Sequence, residues 1–186
     1  MKLRKQVLSI LCIGILAFAA GCGPEQSPTP GKSEPVQESK INKDAETTKT
    51  SNEKVKMVFY VPTEDASGVK QKTVDTEANK VTPKAALLAM LESDRAQQYP
   101  VFSKDVEINS VTVKNGIASV EVNKAFVAAK GGDLTVKLQM AAIVNTLTSF
   151  DNINGVLFVS DGKKVDTIGG FDTSEPVKRM NDLIKK

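Results

Sequence analysis

Val111-Thr112-Val113-Lys114-Asn115-Gly116-Ile117-Ala118-Ser119-Val120-Glu121-Val122 sets two alternating runs on either side of an Asn-Gly pair. That pair tolerates the positive φ angles demanded by a two-residue type I′ turn, so the stretch predicts a β-hairpin with one buried face. Upstream, the apolar parity shifts between Ile108 and Val111, which places a bulge or bend near Asn109.

Downstream of the hairpin, Gly131-Gly132-Asp133 opens a long helical pattern, with Asp133 read as its N-cap. Val136, Met140, Ile143, Leu147 and Phe150 fall on one stripe, and Leu134, Leu138, Ala141 and Val144 widen it to most of the circumference, which predicts a central buried helix. Gly155 to Ser160 then reads as a short apolar strand, Asp161-Gly162 as its turn, and Lys163 to Ile168 as a segment that pairs back. Glu175-Pro176 has the chemistry of a helix start, with Val177, Met180 and Ile184 facing inward.

Toward the N-terminus, Lys54 to Val61 begins in alternation and ends apolar, as a first strand would; Asp65 to Gly68 is a loop, and Gln71 to Thr76 a weaker second strand. Thr82-Pro83 supplies an N-cap and a first-turn proline for a helix that turns Leu87, Met90 and Leu91 to the core. The element order is β(β)αββαββ with a closing helix. Its class is α/β in the broad sense, an α+β two-layer sandwich with two main helices on one face of a mixed or mostly antiparallel sheet.

Before this domain the chain changes character. Met1 to Lys5 is basic and Val7 to Ala20 apolar, a run of roughly fourteen residues that suits a signal peptide, whereas a membrane-spanning helix needs about twenty. The run ends in Ala19-Ala20-Gly21-Cys22, which resembles a bacterial lipobox. The resemblance implies that Cys22 receives a diacylglyceryl group, that cleavage follows Gly21, and that the new amino terminus is open to acylation by a fatty acid such as palmitate. Two or three acyl chains, at about 0.8 kcal/mol per buried methylene, give stable attachment. Pro24 to Lys54 is rich in Ser, Thr, Pro, Gln, Lys and Glu and nearly free of apolar residues, so it reads as a disordered tether with an r.m.s. reach of roughly 30 Å. The expected organisation is a signal peptide over 1–21, lipidated Cys22 and tether over 22–54, and one domain over 55–186 whose core spans about 55–170. The expected location is the extracytoplasmic face of the cell membrane.

Composition narrows the chemistry. The chain has no His, which removes Ser-His-Asp and Cys-His devices and His-based metal sites. Of the two cysteines, Cys12 would leave with the signal peptide, so the mature chain has no internal disulfide. The formal charge of +3 also resides in that segment, because Lys2, Arg4 and Lys5 balance it; without them the net charge is zero, and nucleic acid is not an expected partner. Aromatic residues are 5% of the chain, few for stacking sugars or bases.

Several clusters remain as candidate chemistry. Gly131-Gly132-Asp133 at a helix start could cradle an anion, but the Asp133 carboxylate occupies the place an anion would take. Asp151-Asn152-Ile153-Asn154-Gly155 lacks the alternating oxygens and the closing Glu of a calcium loop. Asp161, Asp166 and Asp172 could act as paired carboxylates only if two of them converge and one has a raised pKa. Lys178-Arg179 and Lys185-Lys186 read as solvated faces or as contacts to anionic headgroups.

From Val55 to Gly170 the chain resembles the GerMN domain, named after a spore-germination lipoprotein. The resemblance rests on Thr82-Pro83-Lys84-Ala85-Ala86-Leu87-Leu88, on the hairpin through Asn123 followed by Phe126, and on Ala142-Ile143-Val144-Asn145-Thr146-Leu147-Thr148-Ser149-Phe150 leading to Val156-Leu157-Phe158-Val159-Ser160-Asp161-Gly162. This chain carries one copy where the namesake carries two. The resemblance implies a fold similar to ring-building domains and a non-enzymatic module of the cell envelope, in sporulation or spore germination, that works by protein-protein contact. It implies no catalytic residue, cofactor or metal. Expected partners are the membrane, through lipid on Cys22, and envelope proteins, with self-association left open. The alternative is a lipoprotein that binds or modifies peptidoglycan or binds a solute.

Overall fold

The computed structural model describes residues 53–128 and 131–186. Strands β1 (Lys54–Pro62) and β2 (Val69–Glu77) pair antiparallel along their whole length, from Lys54 opposite Glu77 to Pro62 opposite Val69. The apolar end of β1 buries Met57, Phe59, Tyr60 and Val61, while most of β2 faces solvent. Helix α1 (Pro83–Arg95) starts as its sequence predicts: Pro83 opens the first turn, and Thr82 Oγ1 accepts the Ala85 N–H at 3.1 Å. Leu87, Met90 and Leu91 are buried on one face, and Leu88 points outward.

Strands β3 (Ile108–Lys114) and β4 (Ile117–Val122) form the expected hairpin, with φ of 51° at Asn115 and 79° at Gly116. The register slips between Ile108 and Ser110, where the sequence parity shifts. A short helix that the periodicity did not show, α2 (Lys124–Val127), follows; Asn123 Oδ1 caps it by accepting the Phe126 N–H at 3.3 Å. A methyl group at Gly116 would meet Asn154 Nδ2 at 2.7 Å on a backbone of φ +79°. Gly116→Ala is therefore expected to lower stability by about 1–2 kcal/mol, read as a lower urea midpoint with unchanged slope.

The long helix, α3 (Asp133–Leu147), buries Val136, Leu138, Met140, Ala141, Ile143, Val144 and Leu147. Two details differ from expectation. Gly132, not Asp133, is the N-cap, so Asp133 lies in the first turn, where its charge complements the helix dipole. Leu134 is 55% exposed, because it lies about 200° around the helix from Val136, whose side of the first turn is the one buried against Gly169. Phe150 lies beyond the helix end and is half-buried.

Strand β5 (Gly155–Ser160) runs parallel to β4, from Ile117 opposite Gly155 to Glu121 opposite Val159. The return segment is shorter than predicted. Only β6 (Lys163–Lys164) pairs back on β5, whereas β7 (Thr167–Ile168) turns through Gly169-Gly170 into β8 (Phe171–Asp172). The last strand, β9 (Ile184–Lys185), joins β2 in parallel. The class is α+β with mixed strands, as expected, but the strands form two principal sheets, β1-β2-β9 and β3-β4-β5-β6, instead of one. Helix α3 packs against β1 and α1. The core includes a row of rings, Phe102 to Phe126 at 6.3 Å and Phe126 to Phe158 at 5.9 Å between centroids.

The predicted closing helix does not form. Val177 and Val156 instead exchange backbone hydrogen bonds of 2.8 and 3.0 Å, a 3-10 turn spans Asn181–Leu183, and the chain ends in β9. A ten-residue helix is marginal on its own, so long-range partners that satisfy the same backbone groups prevail.

Candidate functional site

Between α1 and β3 an irregular connector is held from inside by two consecutive side chains. Asp94 is fully buried; its carboxylate accepts the N–H groups of Phe102 at 3.0 Å and Val101 at 3.3 Å, and Gln97 Nε2 at 3.3 Å. Arg95 donates to the carbonyls of Ser103 at 3.1 Å and Val106 at 2.5 Å. This bracing turns Phe102 and Val106 inward and leaves Tyr99 67% exposed at the surface.

Burial pushes the Asp94 carboxyl above its ordinary value of 3.8, although the bonds from Phe102, Val101 and Gln97 and the nearby Arg95 charge oppose the rise. The native state thus keeps a proton at pH values where the unfolded chain has released it. The stability linked to this group is present below 3.8 and is lost as pH rises through the raised native value. Denaturation measured across the carboxylate range should show this falling component in the parent chain and not in Asp94→Asn.

Beside the connector lies an open cavity of about 450 Å³. Val101, Val106, Ala125 and Ala128 supply its apolar lining, and Ser103, Asp105 and Gln139 its polar groups. Gln139, from α3, is 4% exposed and donates through Nε2 to the Val101 carbonyl at 2.6 Å, while its Oε1 is buried without a hydrogen-bond partner. The sequence held no signal for this pairing, since Gln139 looks like one polar residue among apolar ones.

At the other end of α3, the C-terminal segment is fastened by a second polar set. Asn145, fully buried, accepts the Met180 N–H at 2.8 Å and donates to the Met180 carbonyl at 3.1 Å. Arg179 lies 5.0 Å over the Tyr60 ring and donates to that hydroxyl at 2.6 Å, to the Asn145 carbonyl at 3.1 Å and to Thr148 Oγ1 at 3.2 Å. The Tyr60 hydroxyl in turn bonds Gln71 Oε1 at 3.2 Å. Arg179 is therefore a structural pin and not part of a solvated basic face; Lys178, Lys185 and Lys186 do face solvent.

Each carboxylate named from sequence has its own main partner, although Lys164 acts on both Asp166 and Asp172. Asp161 pairs with Lys124 at 2.9 Å, Asp166 with Lys164 at 3.1 Å, and Asp172 accepts from Ser174 Oγ at 2.6 Å and Ser174 N at 2.9 Å. Those serine bonds hold the Asp172 carboxyl below its usual range, the opposite of what a general acid requires. Among the described residues no group of three or more His, Cys, Asp or Glu side chains gathers, Asp151 included. Asp133 borders a small hollow with Val136, Lys137 and Phe171. Cys22, the segment read as a signal peptide and the expected tether up to residue 52 lie outside the described residues, among which no helix is long and apolar enough to cross a membrane.

Two helices over mixed strands, with an Asn-Gly hairpin and a parallel β4–β5 pair flanking the central helix, define an α+β module of the GerMN type. The chain belongs to the Germane family, described as "Sporulation and spore germination", whose model matches residues 57–166. Among solved structures it is similar to the first GerMN domain of the sporulation protein GerM from Bacillus subtilis, at 23% identity over 67% of this chain and 98% of that one, with a TM-score of 0.54. It is also similar to the tandem GerMN domains of the same protein, at 20% identity over 73% of this chain and 49% of that one, with a TM-score of 0.53. The chain thus spans about half of the tandem structure. No curated protein matches it.

Proposed function

We propose that this protein is a membrane-anchored, extracytoplasmic lipoprotein whose GerMN domain is an assembly module of the cell envelope, acting by protein-protein contact in sporulation or spore germination. The observation that carries the reading is the family match over residues 57–166. The lipobox-like Ala19-Ala20-Gly21-Cys22 and the polar stretch after it supply the anchor and the reach. Catalysis is no part of this role.

The test has two arms. Mass spectrometry of the mature N-terminal peptide should find a lipid-modified Cys22, and Cys22→Ser should move the protein from the membrane fraction to the soluble one. Crosslinking in intact sporulating cells should recover envelope proteins joined to the domain. An unmodified Cys22 on a freely soluble chain defeats the anchor, and efficient crosslinking that recovers no envelope protein defeats the assembly role.

A further inference from the structure

Around the cavity beside the α1–β3 connector, several hydrogen-bond donors are committed to backbone carbonyls, while the Nε of Arg95, a residue outside the lining, is buried without a partner. Gln139 Nε2 bonds the Val101 carbonyl at 2.6 Å, Arg95 bonds those of Ser103 and Val106, Asn123 Nδ2 bonds that of Asp105 at 2.6 Å, and the Asp105 N–H bonds Ser103 Oγ at 3.3 Å. On the lining itself, beside the Ser103 hydroxyl that can donate or accept, two acceptors are left over. Gln139 Oε1 is buried without a partner, and no described residue forms an ion pair with the Asp105 carboxylate.

We propose that this cavity binds an aliphatic primary ammonium group, with the methylene stem against Val101, Val106, Ala125 and Ala128 and the N–H groups donating to the Asp105 carboxylate and the Gln139 amide oxygen. An ammonium is all donor and carries one positive charge, which matches an acceptor-rich wall with one carboxylate. An anion would be repelled by Asp105, and a divalent cation such as calcium needs about six or more oxygen ligands where this wall has few. The 450 Å³ volume is in the range of small-ligand sites, about 300–1,000 Å³. Because Oε1 is screened from water in the free protein, the lining must open slightly on entry. In return that oxygen gains a bond without surrendering one to solvent. A lysine side chain of a protein and a free alkylamine share this chemistry.

The test uses the full-length chain in detergent micelles with 13C-methyl alanine, since the Ala125 and Ala128 methyls report from the cavity itself. The probes are N-acetyl-lysine methylamide, pentylammonium and, as the uncharged control, N-acetyl-norleucine methylamide. Saturable shifts of these two methyls are expected with both ammonium probes and not with the norleucine probe, and Asp105→Asn should weaken the apparent Kd about tenfold or more. Asp105 is exposed, so the variant should keep the parent spectrum elsewhere. A larger response to the capped lysine assigns the natural ligand to a protein side chain, and a larger response to pentylammonium assigns it to a free amine. Absent or non-saturable shifts, equal shifts with norleucine, or undiminished binding in Asp105→Asn overturn the proposal. None of those results bears on the anchor or on the crosslinking outcome.

Discussion

Asn145→Ala should lower the folding stability by about 3 kcal/mol, because one truncation strips partners from two backbone groups of a distant segment. The Asn145 amide stands in for a strand neighbour: it holds both the N–H and the carbonyl of Met180, at 2.8 and 3.1 Å, across 35 residues of chain. Its backbone carbonyl, which the variant keeps, accepts from Arg179, so a loosened Met180 segment strains the pin over Tyr60 without removing that acceptor. Urea denaturation followed by circular dichroism should show a lower midpoint with an unchanged slope. Arg179→Ala should cost less, and the double variant should cost less than the sum of the two, since both act on the same segment. A loss below about 1 kcal/mol for Asn145→Ala, or strict additivity with Arg179→Ala, would show that the segment is not secured this way.

Phe126→Ala should cost still more, about 3–5 kcal/mol. Phe126 is fully buried between Phe102 and Phe158, at 6.3 and 5.9 Å, and it is the side chain through which the short helix α2 reaches the core. Truncation leaves a void bounded by two rings that belong to different elements, the braced connector and β5, so the walls cannot close over it together. Phe126→Leu keeps most of the volume and should cost roughly half as much. The same denaturation experiment checks both, and a Phe126→Ala loss no larger than that of Phe126→Leu would mean the site collapses freely.

Much of the site could not be seen along the chain because its partners are far apart in sequence. Gln139 and Val101 are 38 residues apart, and Arg179 and Tyr60 are 119 apart. Lys178-Arg179 reads as an ordinary basic pair because sequence carries charge but not the neighbour that claims it. Asp94 likewise passes for a polar residue on an exposed helix turn, and only the connector folding back over it makes it a buried carboxylate. The failed closing helix belongs to the same class of error. Val177, Met180 and Ile184 have helical spacing, but the backbone partners they found lie on β5, α3 and β2.

Short-range physics, in contrast, was legible residue by residue. The positive φ angles at Asn115 and Gly116, the Thr82 cap with Pro83, the bulge beside Asn109 and the buried stripe of α3 all depend on interactions within a few positions, where steric limits and side-chain period leave few choices. These local rules set the elements and the α+β class. The division into two sheets, the extended C-terminal seam and the acceptor-rich cavity depended on which distant backbone groups and side chains came together. That is settled by hydrogen-bond satisfaction and packing in the folded core, where an unpaired polar group is costly and local preference is weak by comparison.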